Sequence, residues 1–286
     1  MTEKNCLLTG ATSGIGQAAA IALAKNGYRL FLVARNATKA SATEQLIRLK
    51  VKGASIHWLM GDLSSLSDVK NIATEFLSLD CQLDLLFLNA GVTCNTRCCS
   101  QDGYEMMFAV NHLAPFTLTH LLMNKLIDGE HDTRVVITAS GAYNFVNGLD
   151  MDDLNAEQSY GVMKTYGRSK LANILFTRSL NEKLSAKAKT KRISVNCFHP
   201  GFVGTNLGTQ TTMGKVVMRL IKPFSRNSAK GADTGLFLAL EESMENSGGY
   251  YYNRQNKKLP FYARDPETAA ALWEKSCSFA NVDVDQ

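Results

Sequence analysis

The chain has 286 residues, 31 basic against 26 acidic side chains and a net charge of +5, with 45% hydrophobic and 20% charged residues. This is the composition of a soluble globular protein, long enough for one large α/β domain or two smaller ones. The basic residues are scattered, so the mild excess argues for neither nucleic acid nor a membrane surface as partner.

The amino-terminal stretch MTEKNCLLTGATSGIG has no long apolar run, and nothing downstream reaches the roughly 18 apolar residues of a membrane span. An intracellular, cytoplasmic protein is expected. The seven cysteines are an odd number. Cys94, Cys98 and Cys99 cluster, but no second cluster with zinc spacing accompanies them, so reduced thiols are expected and no metal site.

In chain order, NCLLT (5–9), RLFLVA (29–34), SIHWLM (55–60), LDLLFLN (83–89), RVVITAS (134–140) and RISVNCF (192–198) read as buried strands. Helical patterns lie between them, among them GQAAAIALAKNG (16–27), closed by Gly27, and LSDVKNIATEFLSL (66–79). Strand and helix in alternation predict a doubly wound parallel sheet with helices on both faces, and no linker-like tract divides the chain. One α/β domain spanning 1–286, built on a sheet of about seven strands, is expected.

The first strand-to-helix turn reads LLTGATSGIGQAAA. Gly10, Gly14 and Gly16 permit a tight turn and close approach of backbone to phosphate, and the helix that follows aims its N–H groups at a pyrophosphate. This context, rather than the glycines alone, marks a dinucleotide-binding turn, with Thr12, Ser13 and Ile15 between them. The second strand ends in Ala34 and Arg35, where an acid would bind the ribose 2′-hydroxyl of NAD. Arg35 instead suits a 2′-phosphate, so NADP(H) is the expected cofactor. Asp62 and Leu63, at the end of the third strand, lie on the ligand side. Asp62 is a candidate acceptor for the adenine amine or a helix N-cap, a role for which Ser64 and Ser65 compete. Asn89, Ala90 and Gly91 end the fourth strand in a small-residue opening.

TGATSGIG, GDL, LNAG, a serine ending the fifth strand, Y-x-x-x-K and HPGFVGT follow one another from Thr9 to Thr205, and together they resemble the short-chain dehydrogenase/reductase family. The segment from Tyr143 to Phe176 and the tail from Tyr251 to Ser276 resemble its retinol-dehydrogenase-like branch, as does the long gap of 26 positions from Ser140 to Tyr166. The resemblance implies an NADP(H)-dependent interconversion of carbonyl and alcohol by a tetrad. Asn111 would hold a relay water and Ser140 the substrate oxygen. Tyr166 would exchange the proton, and Lys170 would bind the nicotinamide ribose and lower the tyrosine pKa. Two Tyr-x-x-x-Lys pairs are present, Tyr160–Lys164 and Tyr166–Lys170. The second is preferred because Ser169-Lys170-Leu171-Ala172 matches the family's run and opens an apolar helix face. Pro200, Gly201, Val203 and Thr205 would cover the nicotinamide.

On the substrate side, residues 209–225 form a basic amphipathic pattern. It reads as a substrate lid (207–227), as core packing with a solvated face, or as a peripheral membrane contact. Phe145, Phe202, Met213 and Met218 are candidate walls of an apolar pocket, and 250–286 is expected to be a substrate-side segment. The substrate class that follows is a small to medium lipophilic carbonyl or alcohol. The family also implies homodimers or homotetramers. A non-catalytic NADP-binding redox sensor on the same fold is the alternative, which the intact tetrad disfavours.

Overall fold

The computed structural model describes residues 3–128, 131–187, 192–201, 227–241 and 246–284. Among them eight strands form one sheet: β1 (Lys4–Thr9), β2 (Tyr28–Ala34), β3 (Ile56–Met60), β4 (Leu85–Leu88), β5 (Thr133–Thr138), β6 (Ile193–His199), β7 (Tyr250–Tyr252) and β8 (Gln255–Asn256). The order is β3-β2-β1-β4-β5-β6-β7-β8; every pair is parallel except β7 with β8. About seven strands were expected. The difference is the two-residue β8, too short for any hydrophobic pattern to betray.

Alternate residues of each central strand enter opposite cores, as a strand's period of two demands. Leu7, Leu86, Leu88, Val135 and Ile137 face one side. There they pack under α3 (Leu66–Ser78), α4 (Met106–Phe108), α5 (Ala114–Leu121), α6 (Met123–Ile127), α7 (Val162–Lys187) and α9 (Pro266–Ala280). Cys6, Leu8, Leu85, Phe87 and Val136 face the other, beneath α1 (Gly14–Lys25), α2 (Ala37–Lys50) and α8 (Ser228–Leu240). With both faces covered, the central strands carry near-continuous apolar runs, as in Leu85–Leu88 of β4 and Val135–Ile137 of β5, the pattern that made them readable as buried.

The chain leaves β1 toward β2 and β3, then returns to place β4 on the other side of β1. At such a reversal the loops beyond two neighbouring strands diverge and leave a crevice at the carboxyl edge of the sheet. Gly27, at φ +78°, ends α1, while the Asn26 side chain donates to the Ala22 carbonyl at 2.8 Å. Ser65, not Asp62, caps α3, accepting from the Asp68 amide at 3.2 Å.

Between α4 and α5 the helix widens into a π-turn over Ala109–Leu113. Such a turn re-aims the side chains it carries and is frequent at functional sites. Here it carries Asn111.

Candidate active site

A cleft of about 500 Å³ opens at the switch point between β1 and β4. Its walls include Gly10, Thr12, Ser13, Gly14 and Ile15 from the first turn, Arg35, Asp62 and Leu63 beyond β2 and β3, and Asn89–Ala90–Gly91 beyond β4. Tyr166, Lys170 and Pro200 close the other end. One continuous cavity therefore joins the expected phosphate loop to the expected proton donor.

The glycine turn has steric reasons for its composition. Gly10 sits at φ +73°, and a Cβ there would lie 2.9 Å from the Ala90 Cα. A Cβ on Gly16 would lie 2.2 Å from the Gly10 carbonyl oxygen. The turn thus packs backbone on backbone, leaving a concave floor that any side chain at these positions would fill. Asn89 holds it in place, its side-chain amide donating to the Thr9 carbonyl at 3.2 Å, while the Asn89 backbone N–H donates to the Thr9 hydroxyl at 3.0 Å. This cradle fits the pyrophosphate of a dinucleotide, with the amino-terminal end of α1 beneath it.

At the far end of the cleft, Arg35 Nη1 lies 3.2 Å from Asp62 Oδ2, in a pair whose side chains are 67% and 29% exposed. Desolvation pushes the Asp62 carboxyl up, but the Ser64 amide and hydroxyl and the Arg35 guanidinium together hold it below the usual carboxylate range. An exposed single-contact pair contributes little, about 0–1 kcal/mol, so Arg35 can exchange partners cheaply. Lys39 lines the same end; sequence reasoning missed it. A signal was present: Lys39 occupies the first turn of α2, which holds no acid, where a cation opposes the helix dipole unless an anion offsets it.

Tyr166 and Lys170 stand one turn apart on α7. Lys170 is 2% exposed, and its Nζ lies 5.6 Å from the Tyr166 ring centre and donates to the Thr138 carbonyl at 3.1 Å. The phenol hydrogen-bonds with the Ser140 hydroxyl. Gly167 brings α7 against the turn that follows Ser140, since a Cβ there would lie 2.6 Å from the Ala142 carbonyl oxygen. Asn111, fully buried, accepts from the Val92 amide at 2.7 Å and donates to the Val92 carbonyl at 3.1 Å and to Ser169 Oγ at 2.9 Å. Asn111 Oδ1 and Lys170 Nζ both border Gly91, lying 3.3 and 3.4 Å from where its Cβ would be.

The expected electrostatics need correction. The lysine was expected to depress the tyrosine. Instead burial pushes the Tyr166 phenol up to about 12, with only the Ser140 hydrogen bond pulling it down. Burial likewise pushes the Lys170 amine down to about 8. Desolvation disfavours the charged form of both groups.

The competing pair is set apart by geometry. Tyr160 precedes the first residue of α7, so the four-residue step to Lys164 does not run along a helix. The Tyr160 hydroxyl donates to the Cys94 carbonyl at 2.6 Å, and Lys164, exposed, donates to Ser159 Oγ at 3.2 Å. Phe145 is 59% exposed, beside Gly167, and is not among the residues lining the cleft. Phe202, Val203, Thr205, Met213 and Met218, with 207–226 of the expected lid, lie outside the described residues. Gly201, at φ +81°, donates its amide to His199 Nδ1 at 3.3 Å. The described part of 250–286 forms β7, β8 and α9, and contributes no wall to the cleft. All seven cysteines are free thiols. No helix among the described residues is long and apolar enough to cross a membrane.

Residues 4–215 match the family model for short chain dehydrogenases. The chain belongs to that family. It is 34% identical to human retinol dehydrogenase 14 over 96% of this chain and 86% of that protein. It is 32% identical to mouse retinol dehydrogenase 12 over 98% and 87% of the two chains. The chloroplastic short-chain dehydrogenase TIC 32 B of Brassica napus is 34% identical, over 94% and 86%. Among solved structures, an uncharacterized protein from Mycobacterium Paratuberculosis superposes with a TM-score of 0.78 at 26% identity, covering 99% of this chain and 95% of that one. The L-sorbose reductase of Gluconobacter frateurii, solved with NADPH and L-sorbose, shares the fold with a TM-score of 0.68 at 20% identity, over 88% and 95%. The chain is accordingly an oxidoreductase of the retinol-dehydrogenase-like branch, acting between carbonyl and alcohol.

Proposed function

We propose that the protein is an NADP(H)-dependent oxidoreductase acting on a small to medium lipophilic carbonyl or alcohol, with Tyr166 as the acid/base. The observation that carries this reading is that Tyr166 and Lys170, with Ser140 hydrogen-bonded to the phenol, stand at one end of a cleft whose other end is the glycine cradle. When bound, the nicotinamide supplies or accepts a hydride. The chain's own residues hold the substrate oxygen and move its proton. Ser140 orients that oxygen beside the phenol, and Tyr166 donates its proton to it. With its pKa near 12 the phenol is neutral at physiological pH and carries the proton that carbonyl reduction needs; in alcohol oxidation the same oxygen takes a proton up. Lys170, mostly ammonium at neutral pH, holds the cofactor ribose and offsets negative charge that develops on the phenol. Arg35 and Lys39, two cations at the adenosine end, support NADP(H) over NAD(H) through a 2′-phosphate. The relatives named retinol dehydrogenases support a lipophilic substrate.

The test is a panel of aldehydes and ketones of increasing chain length, assayed with NADPH and NADH. Tyr166→Phe should lower turnover by about a hundredfold or more while cofactor affinity survives, and Tyr160→Phe should leave turnover near wild type. Unchanged turnover in Tyr166→Phe would remove Tyr166 from the chemistry. Arg35→Ala should weaken NADPH far more than NADH; equal effects would refute the cofactor preference.

A further inference from the structure

A second cavity, of about 520 Å³, lies away from the cleft, where α7 meets β7 and the chain leaving β8. Its rim carries Arg178, Lys257, Lys258 and Arg264, and Gly248 and Gly249 form part of its floor. Four cations around one hollow repel one another unless something neutralises them. Elsewhere in the molecule several arginines find carboxylates, among them Arg48 with Glu44, Arg168 with Asp153 and Arg254 with Asp233. Among the described residues none of the four around this hollow does so. Lys257 reaches only the neutral Gln255 amide oxygen, at 2.6 Å, and Arg264 lies over the Phe261 ring, 6.0 Å from its centre. The glycine amides are already committed, to the Val195 carbonyl at 2.7 Å and to Asn196 Oδ1 at 2.9 Å. The glycines therefore supply room rather than donors, and the recognition chemistry is that of the side chains.

We propose that this hollow is an anion site for a phosphate group. Two guanidinium forks and two ammonium groups suit a dianion with several acceptor oxygens, which a fork grips through two parallel hydrogen bonds and a lysine attracts as a point charge. The cavity has space for a phosphate together with part of the group that bears it. Two sources share this chemistry: a soluble phosphomonoester and the headgroup of an anionic phospholipid.

The experiment uses the full chain carrying Arg35→Ala and Lys39→Ala, so that the cleft does not compete for the probe. Inorganic phosphate is titrated while the Gly248 and Gly249 amide resonances are followed by NMR. In a second arm, vesicles of phosphatidylcholine with and without phosphatidic acid are sedimented with the protein. The proposal expects saturable binding that weakens with salt and falls by about tenfold or more in Lys258→Ala/Arg264→Ala. Both of those side chains are exposed, and an unchanged melting temperature confirms that the variant folds. Binding of free phosphate without co-sedimentation identifies a soluble ligand. Co-sedimentation that requires phosphatidic acid, and that free phosphate reverses, identifies a headgroup. No saturable binding in either arm, or binding that the double substitution leaves unchanged, overturns the proposal.

Discussion

Lys170→Met should yield a more stable and catalytically disabled protein. The buried amine is held down from 10.5 to about 8 by desolvation, and at about 1.4 kcal/mol per pH unit this costs the folded state about 3 kcal/mol at neutral pH. Methionine has a similar length and no charge, so the substitution removes that cost. It also removes the hydrogen bond to the Thr138 carbonyl, worth about 1 kcal/mol net. That carbonyl keeps a partner, because Asn173 Nδ2 donates to it at 3.3 Å. The net expectation is a gain of about 2 kcal/mol, or about 5 °C in melting temperature for a chain of this size. The sign follows from linkage. The folded-state pKa lies below the unfolded one, so the cost is fully present below pH 8, shrinks as the pH rises from about 8, and is gone above about 10.5. Denaturant unfolding of wild type and variant at a series of pH values between neutral and about 10 should show the variant's advantage disappearing along that interval. A variant less stable than wild type at neutral pH, or an advantage that does not change with pH, would refute the claim that Lys170 is a desolvated ammonium.

Three further outcomes rest on other parts of the molecule. His112 is wholly buried between Ser276 and Asn173, and burial pushes it down to about 4 despite the Asn173 hydrogen bond. Stability should therefore fall by up to about 3 kcal/mol between pH 6.5 and 4, as the unfolded chain takes up a proton that the folded one refuses; His112→Gln should flatten that part of the pH profile. Arg168 and Asp153 form a pair 3.3 Å apart with side chains only 9% and 2% exposed, so Arg168→Met should cost about 3–5 kcal/mol, and adding Asp153→Asn should recover much of it. Gly10→Ala places a methyl 2.9 Å from the Ala90 Cα at φ +73°, which should destabilise the protein by about 2 kcal/mol or more and weaken dinucleotide binding, measured by unfolding and by fluorescence titration.

The parallel core was legible because its central strands are buried on both faces and carry near-continuous apolar runs, as in Leu85–Leu88 of β4. The six expected strands match β1 to β6 within one or two residues at most ends. The β7–β8 hairpin was not legible. Its strands have three and two residues, and its turn is Asn253-Arg254, with both φ angles positive at 51° and 60°. Asparagine tolerates that conformation; arginine is an unusual choice for the second position. What fixes Arg254 is distant in sequence: Asp233 on α8 accepts from Nε at 3.0 Å and from Nη2 at 2.5 Å. A turn held by a tertiary ion pair leaves no local signature. The placement of Tyr166 and Lys170 on one helix was legible for the opposite reason. It depends on where one helix begins, and the apolar face downstream of Lys170 marks that helix.

The candidate site shows the same division between what spacing specifies and what packing decides. Spacing brings Tyr166 and Lys170 onto one face, and ordered motifs assign the loops that meet them. Whether the lysine acidifies the tyrosine is not a matter of spacing. It depends on how much water both groups lose, and with Lys170 only 2% exposed burial dominates. The consequence is chemical. A phenol near 12 beside an amine near 8 is a pair in which the amine gives up its proton first as the pH rises. Ser140 supplies the one hydrogen bond that favours the phenolate, so Ser140→Ala should raise the tyrosine further and slow alcohol oxidation, which needs the phenolate, more than carbonyl reduction, which needs the phenol. Equal losses in the two directions at saturating substrate would mean that Ser140 acts only by holding the substrate.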